Sequence, residues 1–134
     1  MFEDTDAVPM IAVKDLSRAR KFYQDTLGLQ PAGPENAEVQ LYQSGNTRIA
    51  VYLSQFAGTN RATTLNWAVD DIESVVADLK SRGIKFEHYD MPNTTRQGEV
   101  HVSGRIKNAW FKDPDGNILA LMNRMEVGAK AETM

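Results

Sequence analysis

Two segments of the chain repeat one pattern of hydrophobic and polar positions. In each segment an apolar run ends at a valine, an aspartate follows two positions later, and a helical stripe of apolar residues leads to a glycine. The valines, Val13 and Val69, are 56 positions apart, and the glycines, Gly28 and Gly83, are 55 apart. Equal internal spacing over so long a period predicts that one supersecondary unit is present twice.

The first copy is predicted to combine one helix with several strands. Asp15 is placed to cap the helix, Gly28 to end it, and Phe22 to lie buried on its apolar face. Gly45 and Asn46 suit a tight hairpin turn between two of the strands. Alternating apolar and polar residues predict these strands over 7–13, 38–44 and 47–53.

The second copy follows the same order. Asp70 or Asp71 caps a helix on which Leu79 is predicted to be buried. The polar stretch 90–98 is long enough to be a functional loop, and Asp113-Pro-Asp-Gly116 is a strong turn signal. The strands of this copy are predicted over 63–69, 84–89, 108–112 and 117–122.

Together these elements predict an α+β fold of one domain, made of two tandem βαβββ modules whose curved mixed sheets surround a shared cleft. Module one is expected over 7–54, a linker over 55–62, module two over 63–124, and an unpatterned tail over 125–134. Strand parity places Trp67 toward a helix and Asn66 toward the concave face.

Composition narrows the classes of function. With 42% hydrophobic and 25% charged residues, the 134-residue chain is typical of a compact globular domain. The net charge of −3 without a basic cluster argues against nucleic-acid binding. The chain has no cysteine, no apolar run of membrane-spanning length and an acidic start unlike a signal peptide. We therefore expect a cytoplasmic protein without a membrane partner.

Four features occur in a characteristic order along the chain. They are the strand before Asp15-Leu16, the Phe22-Tyr23 pair, the Val-Asp-Asp at 69–71 and the Asp-Pro-Asp-Gly-Asn turn at 113–117. Over residues 7–124 this order resembles the vicinal oxygen chelate superfamily, which includes glyoxalase I, extradiol dioxygenases, fosfomycin-resistance enzymes and bleomycin-binding proteins. The resemblance implies the paired βαβββ fold, and for the enzymes of the family it implies a divalent metal.

The resemblance also implies where metal ligands would lie. The matching positions are Val8, Thr64, Ala120 and Tyr52, or Val51 if the register of that strand is shifted. Valine and alanine have no donor atom, and threonine is a poor divalent ligand. We therefore predict that the usual metal site of the family is absent and that no metal or other cofactor is bound.

Other polar residues leave alternatives open. His88, Asp90 and His101 could form a displaced metal site of two histidines and one carboxylate. Either histidine could instead act as a general base or hydrogen-bond a ligand at the cleft mouth. Tyr42, Tyr52 and Trp110 could stack on a flat ligand, although a place in the core or the cleft wall is the commoner role of such residues.

The leading hypothesis is a metal-independent binding protein that holds a partly hydrophobic or aromatic small molecule in its cleft. The alternative is a lyase, isomerase or dioxygenase-type enzyme that uses a histidine base or the displaced metal site, and no catalytic residue can be assigned. The resemblance also implies a homodimer. The predicted ligand-binding residues are Arg48, Tyr52, Thr64, Asn66, His88, His101 and Trp110.

Overall fold

The structure, a computed structural model, describes residues 1–124, and the predicted tail 125–134 lies outside the described residues. The chain divides into two compact units. Unit 1 contains residues 1–62 together with 113–117, and the described part of unit 2 contains 63–112 and 118–124. No helix in the described part of the chain is long and apolar enough to cross a membrane.

Unit 1 is a four-stranded mixed sheet with one helical segment. Its strands stand in the order β1-β4-β3-β2, with β1 parallel to β4 and the other pairs antiparallel. Helix α1 continues directly into a π-helical segment. The elements are β1 (Met10–Val13), α1 (Leu16–Arg20), the π-helical segment (Lys21–Thr26), β2 (Gln30–Pro31), β3 (Val39–Ser44) and β4 (Thr47–Leu53).

Unit 2 repeats this plan with a larger sheet. Its strands stand in the order β5-β10-β9-β8-β7, with β5 parallel to β10, and β6 pairs with β9 beside this path. The elements are β5 (Thr63–Val69), α2 (Ile72–Ser81), β6 (Phe86–Glu87), β7 (Thr95–Gln97), β8 (Val100–Ser103), β9 (Ile106–Lys112) and β10 (Ile118–Asn123).

In both units the first strand lies parallel to the last strand, and the helix connects the first strand to the antiparallel ones. This shared order is what a duplicated βαβββ unit requires. The predicted α+β class and the two modules are therefore confirmed. The turn 113–117, which the sequence places within the second module, belongs to compact unit 1, and the predicted linker 55–62 lies in unit 1 as well.

The predicted ends of both helices are confirmed. The Asp15 carboxylate accepts hydrogen bonds from the backbone N–H groups of Ser17 and Arg18 at the start of α1. The Asp71 carboxylate accepts one from Ser74 at the start of α2. Gly83 follows α2 with a φ of 90°, which is left-handed backbone that favours glycine.

The prediction for Phe22 is only partly correct. Phe22 is half-buried, and the neighbouring Tyr23 is the fully buried residue of this segment. The chain winds here as a π-helix, in which Leu27 donates to the carbonyl of Phe22 five residues earlier. A buried face predicted from 3.6 residues per turn is therefore displaced, because a π-helix has more residues in each turn. The burial predicted for Leu79 is confirmed, since it is 8% exposed.

One predicted strand and one predicted loop differ from the structure. The strand predicted over 84–89 contains only the two residues of β6, and the loop predicted over 90–98 contains β7. Strand β8 was not predicted. The short alternation in β8 comes directly after a polar stretch, and a four-residue pattern is too weak to mark a strand by itself.

A buried carboxylate organises the turn at 113–117. One oxygen of Asp113 accepts hydrogen bonds from the backbone N–H groups of Asp115 and Asn117, both at 2.9 Å. The other accepts from the hydroxyl of Tyr23 at 2.7 Å and from the Asn117 amide at 2.8 Å. Both Asp113 and Asn117 are about 5% exposed or less. Burial and the neighbouring Asp113 raise the pKa of Tyr23, so its hydroxyl remains a donor.

Asn117 extends this network to other parts of unit 1. Its side-chain amide donates to the carbonyl of Ala12 in β1, and its side-chain oxygen accepts from the backbone N–H of Gly58. Gly58 has a φ of 74°, and a Cβ added there would lie 1.9 Å from the carbonyl oxygen of Asp115. This close approach explains why glycine is needed at that position.

We expect Tyr23→Phe to lower the free energy of unfolding by about 1.5–3 kcal/mol, because it removes a hydrogen bond to a buried carboxylate. The matched control is Tyr42→Phe. Tyr42 is equally buried, but its hydroxyl donates to the neutral side chain of Gln24. A loss of about 0.5–1.5 kcal/mol is therefore expected there. Urea denaturation monitored by circular dichroism measures both, and equal losses would contradict the special role of Asp113.

Candidate functional site

A pocket of about 360 Å³ opens in unit 2 where the chain leaves β6 and returns as β7. It is framed by the loop 88–94, by β7 and by one residue of β8. Asn93 lies in left-handed backbone with a φ of 56°, which asparagine tolerates better than most residues and which turns the loop back toward the sheet. The lining residues are His88, Tyr89, Asp90, Met91, Thr94, Thr95, Arg96 and His101.

Sheet pairing sets the position of the inner residue of the pocket. His101 lies on β8, where it pairs with Arg96 of β7 on one side and with Asn108 of β9 on the other. The His101 side chain is 2% exposed. Two strands therefore hold His101 in place from both sides, whereas the loop residues of the pocket are held only at the ends of the loop.

The hydrogen bonds of His101 define its protonation. Its Nε2 accepts a hydrogen bond from the backbone N–H of Tyr89 at 3.0 Å, so the neutral ring carries its proton on Nδ1. Within residues 1–124, Nδ1 is buried and has no hydrogen-bond partner. Burial lowers the pKa of His101 below its ordinary value, and the neighbouring His88 and Arg96 side chains add to this effect. The backbone at 99 and 108 opposes it only in part.

Four rings lie together at this pocket. The ring centres of His101 and Trp110 are 4.9 Å apart and those of Tyr89 and Trp110 are 5.4 Å apart, both in edge-to-face arrangement. The centre of the His88 ring lies 6.2 Å from that of His101. Trp110 is further fixed by its indole N–H, which donates to the hydroxyl of Thr63. Of these four rings, those of His88, Tyr89 and His101 line the pocket, and packing against Trp110 fixes the rings of Tyr89 and His101.

Charged side chains surround the mouth of the pocket. The Nε2 atom of His88 lies 2.5 Å from one oxygen of Glu99, whose other oxygen lies 3.0 Å from the ammonium of Lys80. The contact with His88, and after it the contact with Lys80, lowers the pKa of Glu99. In the described part of the chain, no ion pair involves Arg96 or Asp90, so each presents an uncompensated charge.

The structure brings three of the seven predicted ligand-binding residues together: His88, His101 and Trp110. Arg48 is exposed and Tyr52 half-buried on β4 of unit 1. The other two lie on β5 of unit 2. Asn66 is exposed there with its amide near the sulfur of Met122, and Thr64 has a buried hydroxyl without a partner among the described residues.

Tyr42, considered above as a residue that might stack on a ligand, is fully buried in the core of unit 1. Burial raises its pKa to about 12, and its hydroxyl is used by Gln24. The stacking role is therefore wrong.

Several pocket residues were not predicted individually. The stretch 90–98 was recognised as a long polar loop, and that length was the only signal. Which of its side chains face the pocket depends on the pairing of β7 with β8, and β7 is too short to show alternation. The residues missed in this way are Tyr89, Met91, Thr94, Thr95 and Arg96.

The positions that would hold a metal in relatives of this fold do not fit one here. Val8 is 47% exposed and Ala120 is buried, and neither has a donor atom. Tyr52 offers a phenol and Thr64 a hydroxyl, which leaves the site without imidazole or carboxylate. Over residues 1–124, no three side chains of histidine, aspartate or glutamate lie close enough together to hold a metal ion. His88, Asp90 and His101, the predicted displaced metal site, therefore do not form such a cluster in this part of the chain.

The fold is thus α+β and consists of two βαβββ modules, in each of which the first strand lies parallel to the last. A polar pocket lies beside the second sheet. The sequence model of the Glyoxalase/Bleomycin resistance protein/Dioxygenase superfamily matches residues 7–121, and the chain belongs to that superfamily. A search of curated protein sequences found no significant match.

Solved structures show the same fold. A glyoxalase family protein from Bacillus anthracis has a TM-score of 0.69 and 20% identity, covering 93% of this chain and 98% of that one. Lactoylglutathione lyase from Agrobacterium tumefaciens has a TM-score of 0.66 and 17% identity, covering 90% and 93%. Fosfomycin resistance protein FosX from Mesorhizobium loti has a TM-score of 0.66 and 12% identity, covering 97% and 99%.

The buried neutral His101 makes stability depend on pH. Because its pKa is lower in the folded than in the unfolded chain, the unfolded chain takes up the proton first as the pH falls. The free energy of unfolding should therefore decrease as the pH falls below about 6.5, down to the lowered pKa of His101. Denaturation at a series of pH values measures this slope.

The variant His101→Gln should flatten the slope below about pH 6.5, because glutamine keeps an acceptor but does not titrate. His88→Gln is the matched control, because it removes the exposed histidine of the same pocket. A slope that disappears in His88→Gln and persists in His101→Gln would contradict the assignment.

Proposed function

We propose that this protein binds a small organic molecule, without help from a metal ion, in the pocket beside His101. The observation that supports this most is the pocket itself. It combines the rings of Tyr89 and His101, both fixed by edge-to-face packing against Trp110, with polar groups that the described residues leave unpaired, among them Nδ1 of His101. Small-molecule sites commonly have this character, with few polar groups placed among apolar walls.

The donor chemistry supports metal independence. At the positions where a metal would be expected in this superfamily, Val8 and Ala120 can supply no ligand atom. One ring nitrogen of each pocket histidine is also committed elsewhere, since Nε2 of His101 is used by the N–H of Tyr89 and Nε2 of His88 faces Glu99. The homodimer stays a prediction.

A second candidate function rests on the contact between His88 and Glu99. A carboxylate beside one ring nitrogen orients an imidazole so that the other nitrogen can accept a proton from a bound molecule. A lyase or isomerase with His88 as its base would use this arrangement. Transfer of a ligand C–H proton to solvent, seen as deuterium uptake by NMR and lost in His88→Gln, would favour this enzyme over a binding protein.

The binding proposal is tested by filling the pocket. A library of small polar aromatic compounds is screened by ligand-observed NMR against the wild type and against Thr95→Trp. Thr95 lines the pocket and is exposed, so a larger side chain can be accommodated without loss of the core. Binding should weaken by about tenfold or more, which corresponds to at least about 1.4 kcal/mol.

Gln97→Trp is the matched control, since Gln97 lies on the same strand and is exposed but does not line the pocket. It should bind like the wild type. Compounds that bind Thr95→Trp as tightly as the wild type would place the binding site elsewhere.

Metal independence has its own measurement. Titration with zinc, manganese or nickel should leave the melting temperature unchanged, whereas specific binding at 100 times the dissociation constant would add about 2.7 kcal/mol of stability. Ligand binding should also survive treatment with a chelator. A metal-dependent rise in melting temperature that is lost in both His88→Gln and His101→Gln would instead support the displaced metal site.

A further inference from the structure

We infer that the pocket beside His101 selects a small zwitterion of the amino-acid type, with one anionic group, one cationic group and an apolar body. This inference rests on the proposed function, because it names the class of ligand for the same pocket. It follows from two opposite charges that line the pocket, Arg96 and Asp90.

The two charges are available to a ligand. Over residues 1–124, neither Arg96 nor Asp90 takes part in an ion pair, and they do not pair with each other. Both side chains belong to exposed residues, so each exchanges only water for a ligand group on binding. A guanidinium binds carboxylate oxygens in a fork, and a carboxylate binds an ammonium group.

The other ionisable groups of the pocket are already used or neutral. His88 faces Glu99, which in turn contacts Lys80, so this cluster balances its own charge. His101 is buried and its pKa is lowered, so it adds no positive charge at neutral pH. The pocket therefore offers one net positive and one net negative position.

Both charges together restrict the ligand. A simple anion would meet the repulsion of Asp90, and a simple cation would meet that of Arg96. A molecule that carries both charges satisfies both positions at once. Electrostatic complementarity of this kind determines specificity more than affinity.

The same pocket also offers contacts for an apolar body. Tyr89 and Met91 both line the pocket, and each is 37% exposed. A tyrosine face can stack on a ring or contact a ligand ammonium. The hydroxyl of Thr94 already donates to the carbonyl of Pro92, so it is left to accept from a ligand. A volume of about 360 Å³ limits the occupant to a single small molecule.

Three probes with the same ring separate the contributions of the two charges. L-phenylalanine carries both charges, 3-phenylpropionate carries the negative one, and phenethylamine carries the positive one. Their dissociation constants are measured by titration calorimetry or NMR with the wild type, Arg96→Gln and Asp90→Asn. The control variants Arg61→Gln and Asp4→Asn remove exposed charges of unit 1.

We expect phenylalanine to bind the wild type more tightly than either singly charged probe, by about three- to tenfold. Arg96→Gln should weaken phenylalanine and phenylpropionate by a similar factor and leave phenethylamine unchanged. Asp90→Asn should weaken phenylalanine and phenethylamine but leave phenylpropionate equal or tighter. Both control variants should behave like the wild type.

Other results would overturn the inference. If phenylpropionate binds as tightly as phenylalanine and Asp90→Asn weakens neither, the pocket takes a simple anion. If phenethylamine is the tightest probe, it takes a cation. If none of the three binds at millimolar concentration, the zwitterion class is wrong. In each of these cases the proposed function is decided separately, by whether Thr95→Trp removes the binding of the screened compounds.

Discussion

The hydrogen bonds of the Asp113 carboxylate hold unit 1 in its observed form. A buried carboxylate is costly unless it is well hydrogen-bonded, and here four donors from Tyr23, Asp115 and Asn117 surround its two oxygens. Asn117 then binds the backbone of β1 through Ala12. The turn 113–117 is thereby a structural part of unit 1, although in sequence it lies between two strands of unit 2.

The contacts around the turn support one another. The side chain of Asp115 is 2% exposed, and it accepts a hydrogen bond of 2.7 Å from the guanidinium of Arg18 in α1. Gly58 brings the connector after β4 close to the same turn. A helix, a strand and a connector thus meet at five residues of the chain. Because these side chains form one hydrogen-bond network, the loss of one partner leaves a buried polar atom of another residue without a hydrogen bond.

The sequence predicts the parts of this structure that depend on local pattern. The capping aspartates Asp15 and Asp71, the closing glycines and the strands 47–53 and 63–69 are found where the pattern places them. The turn at 113–117 is also predicted as a turn. Its burial could not be predicted, because aspartate and asparagine are usually exposed and the partner Tyr23 lies 90 residues away.

The same distinction applies to the pocket. Histidines 88 and 101 were predicted as candidates because an imidazole can join a metal site, accept a proton or hydrogen-bond a ligand, and Trp110 because its ring could stack on a ligand. Their proximity depends on the pairing of β8 with both β7 and β9. Arg96 could not be distinguished from other exposed arginines until the register of β7 placed it opposite His101. Only tertiary structure shows which of several similar charges lack a partner.

The fold and the chemistry of the pocket depend on different parts of the chain. The order of strands in each unit is maintained by backbone hydrogen bonds, which do not depend on side-chain identity, and it is shared with relatives that are only 12–20% identical. Most of the pocket, by contrast, is formed by the loop 88–94 and by β7, where side chains can differ without disturbing the sheet. Membership of the superfamily therefore sets the scaffold. Under the proposed function, the charges on this loop and strand select the ligand.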